Sequence, residues 1–326
     1  MLTLLLLLSG AARAEMKEIT VAEQYGVSIL PLMVMERQGL AEKHARALGV
    51  EGLKVNWVQV AGPSVMNDGL VSGAVQFAAQ GAPSLITLWE KTRRNVQVKG
   101  VAAITTYPLY LLSRNPAVRT IGDFSAADRI AVPSVKISTQ AIMLQMAAAK
   151  AFGEEAFARL DPLTISLSHP DAAAALMSGT AGVNAHFSSS PFYEQEIKAP
   201  GVHLVTTNYE ILGGPATALV LLANSRFRES SPLVFRAFYE GLGEAIEIIN
   251  ADKAAAARLY IEMARDKRST EGEILGMIGD KDYAYTLRPA KVLATALFMA
   301  KVGSIREAPQ SLAEMFFPEG AGLGGD

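Results

Sequence analysis

Hydrophobic positions along the chain follow two different periods, and the two alternate. Short apolar runs at residues 55–60, 75–79 and 130–132 are typical of strands, and the stretches after them carry the apolar spacing of helices. The first unit shows this order most clearly, because a strand over residues 19–21 leads through a loop into a helix that Pro31 opens. Repeated strand-to-helix order predicts an α/β fold with mostly parallel sheets and helices on both faces.

The alternation is interrupted twice, which predicts two lobes. The first break lies near Tyr107, after which a second α/β series begins. Near Thr207 the chain crosses back, and from residue 224 onwards it is nearly all helical. We expect a discontinuous first lobe from residues 15–106 and 209–319, and a second lobe from residues 107–208.

Both ends of the chain differ from the rest. Residues 2–8 are almost all leucine and are followed by an Ala-Arg-Ala sequence. This stretch is too short to span a bilayer and is typical of a cleaved signal peptide, although no Lys or Arg precedes the leucines. We therefore expect residues 1–14 to be removed and the mature chain to begin at Glu15 in the periplasm, with a buried N-terminal strand as the alternative. The Gly-rich residues 320–326 predict a disordered tail.

Composition excludes several classes of function. The 326 residues carry a formal net charge of −2, which argues against a nucleic-acid partner. The chain has no cysteine, so disulfides, cysteine metal sites and thiol nucleophiles are excluded. The four histidines are not spaced as metal ligands and no G-x-S-x-G sequence is present, so we predict no metal, no cofactor and no catalysis.

Candidate binding residues lie in loops that follow strands, because open α/β sheets bind ligands beyond the carboxyl ends of their strands. Polar and aromatic side chains there would supply a few anchors in a mostly apolar cleft, although turn and core roles explain the same residues. The first-lobe candidates are Gln24, Tyr25, Val27, Gln80, Gly81, Ala82 and Tyr107.

The second lobe adds a predicted helix start at Ser138-Thr139. Unpaired N–H groups, the positive end of the helix dipole and two hydroxyls would bind an anion there, unless Ser138 only caps the helix. Lys136 would add a charge or remain in solvent, and His186 would contact a ligand or serve as a structural histidine. The remaining candidates are Ser188, after a strand, and Gly213-Gly214, which allow either a close backbone approach or a flexible return.

With these loops in view, residues 19–262 resemble the periplasmic substrate-binding proteins of ABC importers, in the nitrate/sulfonate/taurine and thiamine-pyrimidine-precursor group. The resemblance implies a type II periplasmic-binding-protein fold, in which two α/β lobes joined by two crossovers clamp a ligand in the cleft between them. It also implies a monomer that delivers a small molecule to permease and ATPase subunits. The segments that carry it are VAEQYGVS (21–28), VQVAGPS (58–64), IAVPSVKISTQ (130–140) and HPDAAAALMSG (169–179).

Departures from the family pattern leave the ligand open. Family members often have an aromatic-acidic-Pro run where residues 187–191 read FSSSP, and Asp where this chain has Gln76 and Asn184. The residues favour a small organic anion with one sulfonate or carboxylate and an apolar body. A neutral heteroaromatic such as a pyrimidine, hydrogen-bonded by Gln24 and Gln80, is the alternative. An enzyme on this fold fits least, because the related pyrimidine-precursor synthases require cysteines.

Overall fold

The computed structural model describes residues 15–179 and 182–325, so the predicted signal peptide over residues 1–14 lies outside the described residues. The chain begins with alternating strands and helices. These are β1 (Glu18–Glu23), α1 (Leu30–Gln38), α2 (Leu40–Ala47), β2 (Lys54–Gln59), α3 (Pro63–Ser72), β3 (Phe77–Gln80), α4 (Ala82–Thr92) and β4 (Val98–Thr106).

A second α/β series follows, and helices dominate the remainder. The second series consists of β5 (Tyr110–Ser113), β6 (Ile130–Val132), α5 (Thr139–Phe152), β7 (Thr164–Ser166), α6 (His169–Ser178), β8 (Ala185–Ser188), α7 (Phe192–Glu196), β9 (His203–Thr207) and α8 (Asn208–Leu212). The return consists of β10 (Thr217–Asn224), α9 (Ser225–Ser230), α10 (Pro232–Ala251), α11 (Lys253–Ala264), α12 (Glu271–Gly279), β11 (Ala284–Tyr285), α13 (Val292–Lys301), α14 (Leu312–Met315) and α15 (Pro318–Ala321).

Two sheets organise the described chain, and this confirms the α/β class. The first has the strand order β11-β4-β10-β3-β1-β2, and the second has the order β7-β6-β8-β5-β9. The chain leaves the first sheet after Thr106 and re-enters it at Thr217. The first sheet is therefore built from two separate segments of the chain, and we call the part of the structure around each sheet a lobe.

The sheets are less parallel than the alternation of elements predicts. Strand β1 pairs in parallel with β2 and β3, and β6 pairs in parallel with β7 and β8. However, β10 runs antiparallel between β3 and β4, and β5 runs antiparallel between β8 and β9. Each of these strands lies next to a crossover between the lobes. Every residue of β10 is buried, which explains its continuous apolar sequence.

Aromatic side chains pack between β3 of the first sheet and the helices α9 and α10. The Phe77 ring of β3 stacks on Phe238 with centroids 4.0 Å apart and meets Phe227 edge-on at 5.3 Å. Such aromatic pairs add about 0.5–1.5 kcal/mol each beyond area burial. This packing anchors the amino end of β3, and the carboxyl end of the same strand leads into α4.

A short helix near the C-terminus packs on the first sheet. The structure continues as helix α15 through Ala321, where the sequence predicts disorder from Gly320 onwards. Gly320 is buried, and a Cβ there would lie 2.5 Å from the Val101 carbonyl oxygen of β4. The glycine composition therefore permits close packing on the sheet at this point. Within the described residues, no helix is both long and apolar enough to cross a membrane.

Candidate functional site

Strand-end loops of the first lobe meet helix starts of the second lobe across the cleft. They enclose a cavity of ≈ 30 Å³ to which both lobes contribute. Its lining residues are Gln24, Tyr25, Ser28, Pro63, Gly81, Tyr107, Leu109, Ser138, Thr139, Gln140, His169, Ala218 and Leu219. None of the described residues that line it is Asp, Glu, Lys or Arg.

Four helix N-termini converge on this cavity. Pro63 is the first residue of α3, Gly81 caps α4, Thr139 opens α5 and His169 opens α6. The first N–H groups of a helix have no intrahelical partner, and each helix start carries the equivalent of roughly half a positive charge. The arrangement therefore makes the cavity electropositive without a formal cation at its wall.

The polar side chains at the α5 start are used in different ways. The Ser138 hydroxyl donates to the Ser134 carbonyl at 2.8 Å and accepts from the Ala141 N–H at 3.4 Å, so it caps the helix. Thr139 Oγ1 is buried and has no hydrogen-bond partner among the described residues. The two amide atoms of Gln80, the residue before Gly81, also have no hydrogen-bond partner among the described residues. An unpaired buried polar group costs about 1–3 kcal/mol, so Thr139 Oγ1 is available to a ligand in the cavity that Thr139 lines.

Behind the cavity runs a continuous chain of buried hydrogen bonds. The Gln140 Nε2 atom lies 3.2 Å from His169 Nε2, and His169 Nδ1 lies 3.0 Å from His186 Nε2. His186 Nδ1 lies 2.6 Å from Glu196 Oε1, and the Ser188 hydroxyl donates to Glu196 Oε2 at 2.5 Å. His186, Ser188 and Glu196 are fully buried. We call these five residues the buried relay.

The neutral His169 and the Glu196 carboxylate at the end of the buried relay determine part of its hydrogen-bond pattern. Burial and the neighbouring His186 hold the pKa of His169 well below its usual range, so His169 is neutral. The Glu196 carboxylate only accepts, so His186 Nδ1–H donates to it. His186 Nε2 in turn contacts His169 Nδ1, and His169 Nε2 contacts the Gln140 amide. The relay thereby fixes the orientation of the Gln140 amide at the cavity wall.

Glycines allow the lobes to approach beyond the ends of β2 and β3, the two strands that flank β1. A Cβ on Gly62, at the start of α3, would lie 2.5 Å from the Pro133 carbonyl oxygen of the second lobe. A Cβ on Gly81 would lie 1.9 Å from Thr139 Oγ1. Real Cβ atoms do not make contacts this short. The close contact of the lobes at the cavity therefore requires glycine at both positions.

A larger cavity of ≈ 720 Å³ opens outside the first one and is also lined by both lobes. Its wall includes Trp57 and Tyr260 from the first lobe and Phe192 from the second. Tyr25 lines both cavities, so they are neighbours. Glu23, at the end of β1, also lines the larger one. We call the two the inner and the outer cavity.

The structure brings together part of the predicted site. The predicted residues that line the inner cavity are Gln24, Tyr25, Gly81, Tyr107, Ser138 and Thr139. Burial raises the pKa of Tyr107, whose ring stacks on Tyr283 at 5.1 Å. Val27, Gln80 and Ala82 are buried in the same strand-end loops but do not line the cavity.

The other predicted residues lie elsewhere. Lys136 is exposed and lies close enough to Asp161 to lower the pKa of that carboxyl against the effect of burial. His186 and Ser188 belong to the buried relay, which gives His186 a structural role. Gly213 ends α8, and a Cβ on it would meet nothing within 4 Å, so it makes no close approach. A Cβ on Gly214 would meet only Lys291.

Several lining residues are not among the predicted ones. Gln140 and His169 are the most informative of them, because they connect the inner cavity to the buried relay. The signal for His169 is local: Ser168 accepts from the Asp171 N–H as an N-cap, so His169 opens a helix at a strand end. The others are Ser28, Pro63, Leu109, Ala218 and Leu219. No group of three His, Asp or Glu within the described ranges could hold a metal ion.

Solved structures of other proteins share this fold. The alkanesulfonate-binding protein of Xanthomonas axonopodis pv. citri, bound to MOPS, is 17% identical with a TM-score of 0.72, over 93% of this chain and 99% of that chain. The periplasmic nitrate-binding protein of Synechocystis PCC 6803 is 13% identical with a TM-score of 0.67, over 92% and 84%. A ligand-binding component of an ABC-type import system from Staphylococcus aureus is 13% identical with a TM-score of 0.63, over 93% and 97%.

These likenesses show that the chain has the periplasmic-binding-protein fold, and the fold expected from the sequence resemblance is confirmed. The neighbours include the sulfonate-binding and nitrate-binding proteins to which the sequence segments pointed. No protein-family model matches the chain. A search of curated proteins also finds no match.

Proposed function

We propose that this protein is the solute-binding receptor of an ABC importer and that it captures a small organic anion, a sulfonate or carboxylate, in the cleft between its lobes. The observation that carries the proposal is the convergence of four helix N-termini on a cavity whose described lining has no acidic side chain. Helix starts bind anions through free N–H groups and their dipoles. The structural neighbours include sulfonate-binding and nitrate-binding proteins, which supports this class of ligand.

The sizes of the two cavities favour an organic anion. At ≈ 30 Å³ the inner cavity has space for about two water molecules, which suits the oxygens of one anionic head group. The outer cavity, at ≈ 720 Å³, lies within the range of small-molecule sites. A ligand that places its head at Thr139 would extend past Tyr25, and its body would contact Trp57 and Phe192.

The remaining parts of the proposal concern the cell. We infer that the chain is exported to the periplasm, acts as a monomer and delivers its ligand to permease and ATPase subunits in the inner membrane. A structural neighbour described as a component of an ABC-type import system supports this role. The site as described offers hydrogen bonds and dipoles to a ligand, and we propose binding without catalysis.

A neutral pyrimidine remains the second candidate because of one observation. Both amide atoms of Gln80 are buried without a partner among the described residues, and an amide offers the donor and acceptor that a heteroaromatic edge needs. The inner cavity is too small for a ring, so a pyrimidine requires a more open cleft. The two candidates therefore predict different responses to changes at Thr139.

The test is a thermal-shift panel of aliphatic sulfonates, aromatic carboxylates, taurine, nitrate and aminopyrimidines. A ligand at one hundred times its dissociation constant adds about 2.7 kcal/mol to the free energy of unfolding, which raises the Tm measurably. Thr139→Val keeps the helix N–H and removes the unpaired hydroxyl, whereas Thr139→Pro also removes the N–H. We expect an organic anion to bind about tenfold more weakly to Thr139→Val and not to bind to Thr139→Pro.

The unliganded variants serve as their own controls, because proline is compatible with a first helical position and both should unfold near the wild-type Tm. An aminopyrimidine shift that survives both substitutions would contradict the anion proposal. A shift by nitrate alone would restrict the ligand to an inorganic ion.

A further inference from the structure

A further cavity lies between the lobes, beside the first crossover. Its volume of ≈ 390 Å³ is within the range of small-molecule sites, and its lining shares no residue with the inner or the outer cavity. We call it the hinge cavity. Its lining residues are Pro108 of the crossover, Tyr110, Ser190, Tyr193, Glu194 and Lys198 of the second lobe, and Glu273, Gly276, Met277, Asp280 and Tyr283 of the first lobe.

The wall of the hinge cavity combines tyrosine rings with carboxyl groups. The rings of Tyr110 and Tyr193 stack with centroids 3.6 Å apart. The one lysine of the described wall, Lys198, is paired with Glu273 Oε1 at 2.5 Å. The two other carboxyl groups of the described wall have no ion-pair partner. Uncompensated negative charge beside aromatic faces favours a cation.

Glu194 places an unpaired oxygen at this wall. Its Oε1 accepts from the Ser190 hydroxyl at 2.7 Å, whereas its Oε2 is buried and has no hydrogen-bond partner among the described residues. Burial raises the pKa of this carboxyl, against the effects of the Ser190 hydrogen bond and of Lys198. Burial, and next the charge of Glu194, raise the pKa values of Tyr110 and Tyr193, so the carboxyl lies close to the stacked rings. Buried carboxyl groups are ordinarily paired, so Oε2 is an open acceptor.

The Tyr283 hydroxyl is a second unpaired oxygen. The side chain is 6% exposed, and its hydroxyl has no hydrogen-bond partner among the described residues. The neighbouring Tyr285, whose ring centroid lies 5.4 Å away, donates its own hydroxyl to the Val27 carbonyl at 2.7 Å. Both unpaired oxygens of the hinge cavity can accept a hydrogen bond, and a primary ammonium group has three donors and no acceptor.

We propose that the hinge cavity is a second binding site, which takes a small molecule with a primary ammonium group and an apolar body. The ammonium group donates to Glu194 Oε2 and to the Tyr283 hydroxyl. The body lies against Met277 and the stacked rings of Tyr110 and Tyr193. The residues that carry this inference are separate from the lining of the cleft, so it does not rest on the ligand proposed there.

A ligand in the hinge cavity also acts on the cleft. Glu194 belongs to the second lobe and Tyr283 to the first, so a molecule that binds both holds the lobes together. The Tyr283 ring stacks on Tyr107, which lines the inner cavity, with centroids 5.1 Å apart. One aromatic pair therefore connects the two sites. Binding to both lobes favours the arrangement in which they are in contact.

The first experiment is titration calorimetry of the full chain with three probes of similar shape. 2-Phenylethylammonium carries the charge and the N–H donors, its N,N,N-trimethyl derivative carries only the charge, and 2-phenylethanol carries neither the charge nor the ammonium donors. We expect 2-phenylethylammonium to bind at least about tenfold more tightly than either of the others, because a charged donor can pair with the open carboxylate oxygen.

Two conservative variants locate the binding site. Glu194→Gln keeps an oxygen for the Ser190 hydroxyl and should weaken 2-phenylethylammonium about tenfold or more, with little effect on 2-phenylethanol. Tyr283→Phe keeps the aromatic ring and should weaken the same probe about threefold or more. Because that hydroxyl has no partner in the described structure, unliganded Tyr283→Phe should unfold near the wild-type Tm. Glu155→Gln, exposed in the same lobe, makes the same charge change as Glu194→Gln and should have no effect.

The second experiment tests the effect on the lobes. Saturation with 2-phenylethylammonium alone should lower the radius of gyration of the wild-type protein in small-angle scattering and leave that of Glu194→Gln unchanged. An unchanged wild-type radius with intact binding overturns the effect on the lobes and keeps the site. Equal affinity for the trimethyl derivative overturns the assignment of a primary ammonium group. Absence of binding, or binding that Glu194→Gln does not weaken, overturns the site itself.

Discussion

Single side chains far apart in sequence build the support for the site. Glu196 is fully buried and accepts from His186 Nδ1–H at 2.6 Å and from the Ser188 hydroxyl at 2.5 Å. Glu196→Gln keeps the shape but leaves one oxygen for two donors. We expect the free energy of unfolding at pH 7 to fall by about 1.5–3 kcal/mol, measured by denaturant titration.

Glu247→Gln on the exposed face of α10 is the control, because it makes the same charge change without a buried partner. Equal stabilities of the two variants would contradict the buried relay.

The sequence predicts Ser138 and Thr139 at a helix start, since caps are local signals. It cannot predict that His169, His186 and Glu196 meet, because that contact depends on the positions of α6, β8 and α7 in the folded lobe.

Among the helices and strands, α15 packs on β4 more closely than its sequence predicts. A Cβ on Gly320 would lie 2.5 Å from the Val101 carbonyl oxygen, a backbone atom that cannot move aside. Gly320→Ala should therefore destabilise the protein by about 1–3 kcal/mol in thermal or denaturant unfolding. A disordered tail would give no change.

Gly276→Ala within α12 is the matched control, because a Cβ there meets nothing within 4 Å. It should stabilise the protein by up to about 1 kcal/mol.

The periodic elements were predictable because hydrophobic spacing identifies a buried face. The C-terminal helix was not, because a short Gly-rich stretch has no such spacing and folds only against a surface that the sheet provides. The antiparallel position of β10 depends in the same way on where the crossover returns.

Both lobes must close for the helix starts to act together, and Gly62 is the position where closure can be tested alone. Its φ of −175° is open to any residue, so alanine should leave the first lobe folded. A Cβ would lie 2.5 Å from the Pro133 carbonyl oxygen of the second lobe, so Gly62→Ala should hold the cleft open. The sequence predicts the crossovers at which the lobes hinge, but this contact between lobes exists only in the closed fold.

Small-angle scattering should show a smaller radius of gyration when wild-type protein is saturated with its ligand, and a larger, ligand-independent radius for Gly62→Ala. Gly272→Ala, which meets nothing within 4 Å, should behave as wild type. A Gly62→Ala protein that compacts with full affinity would show that the lobes can close by another route.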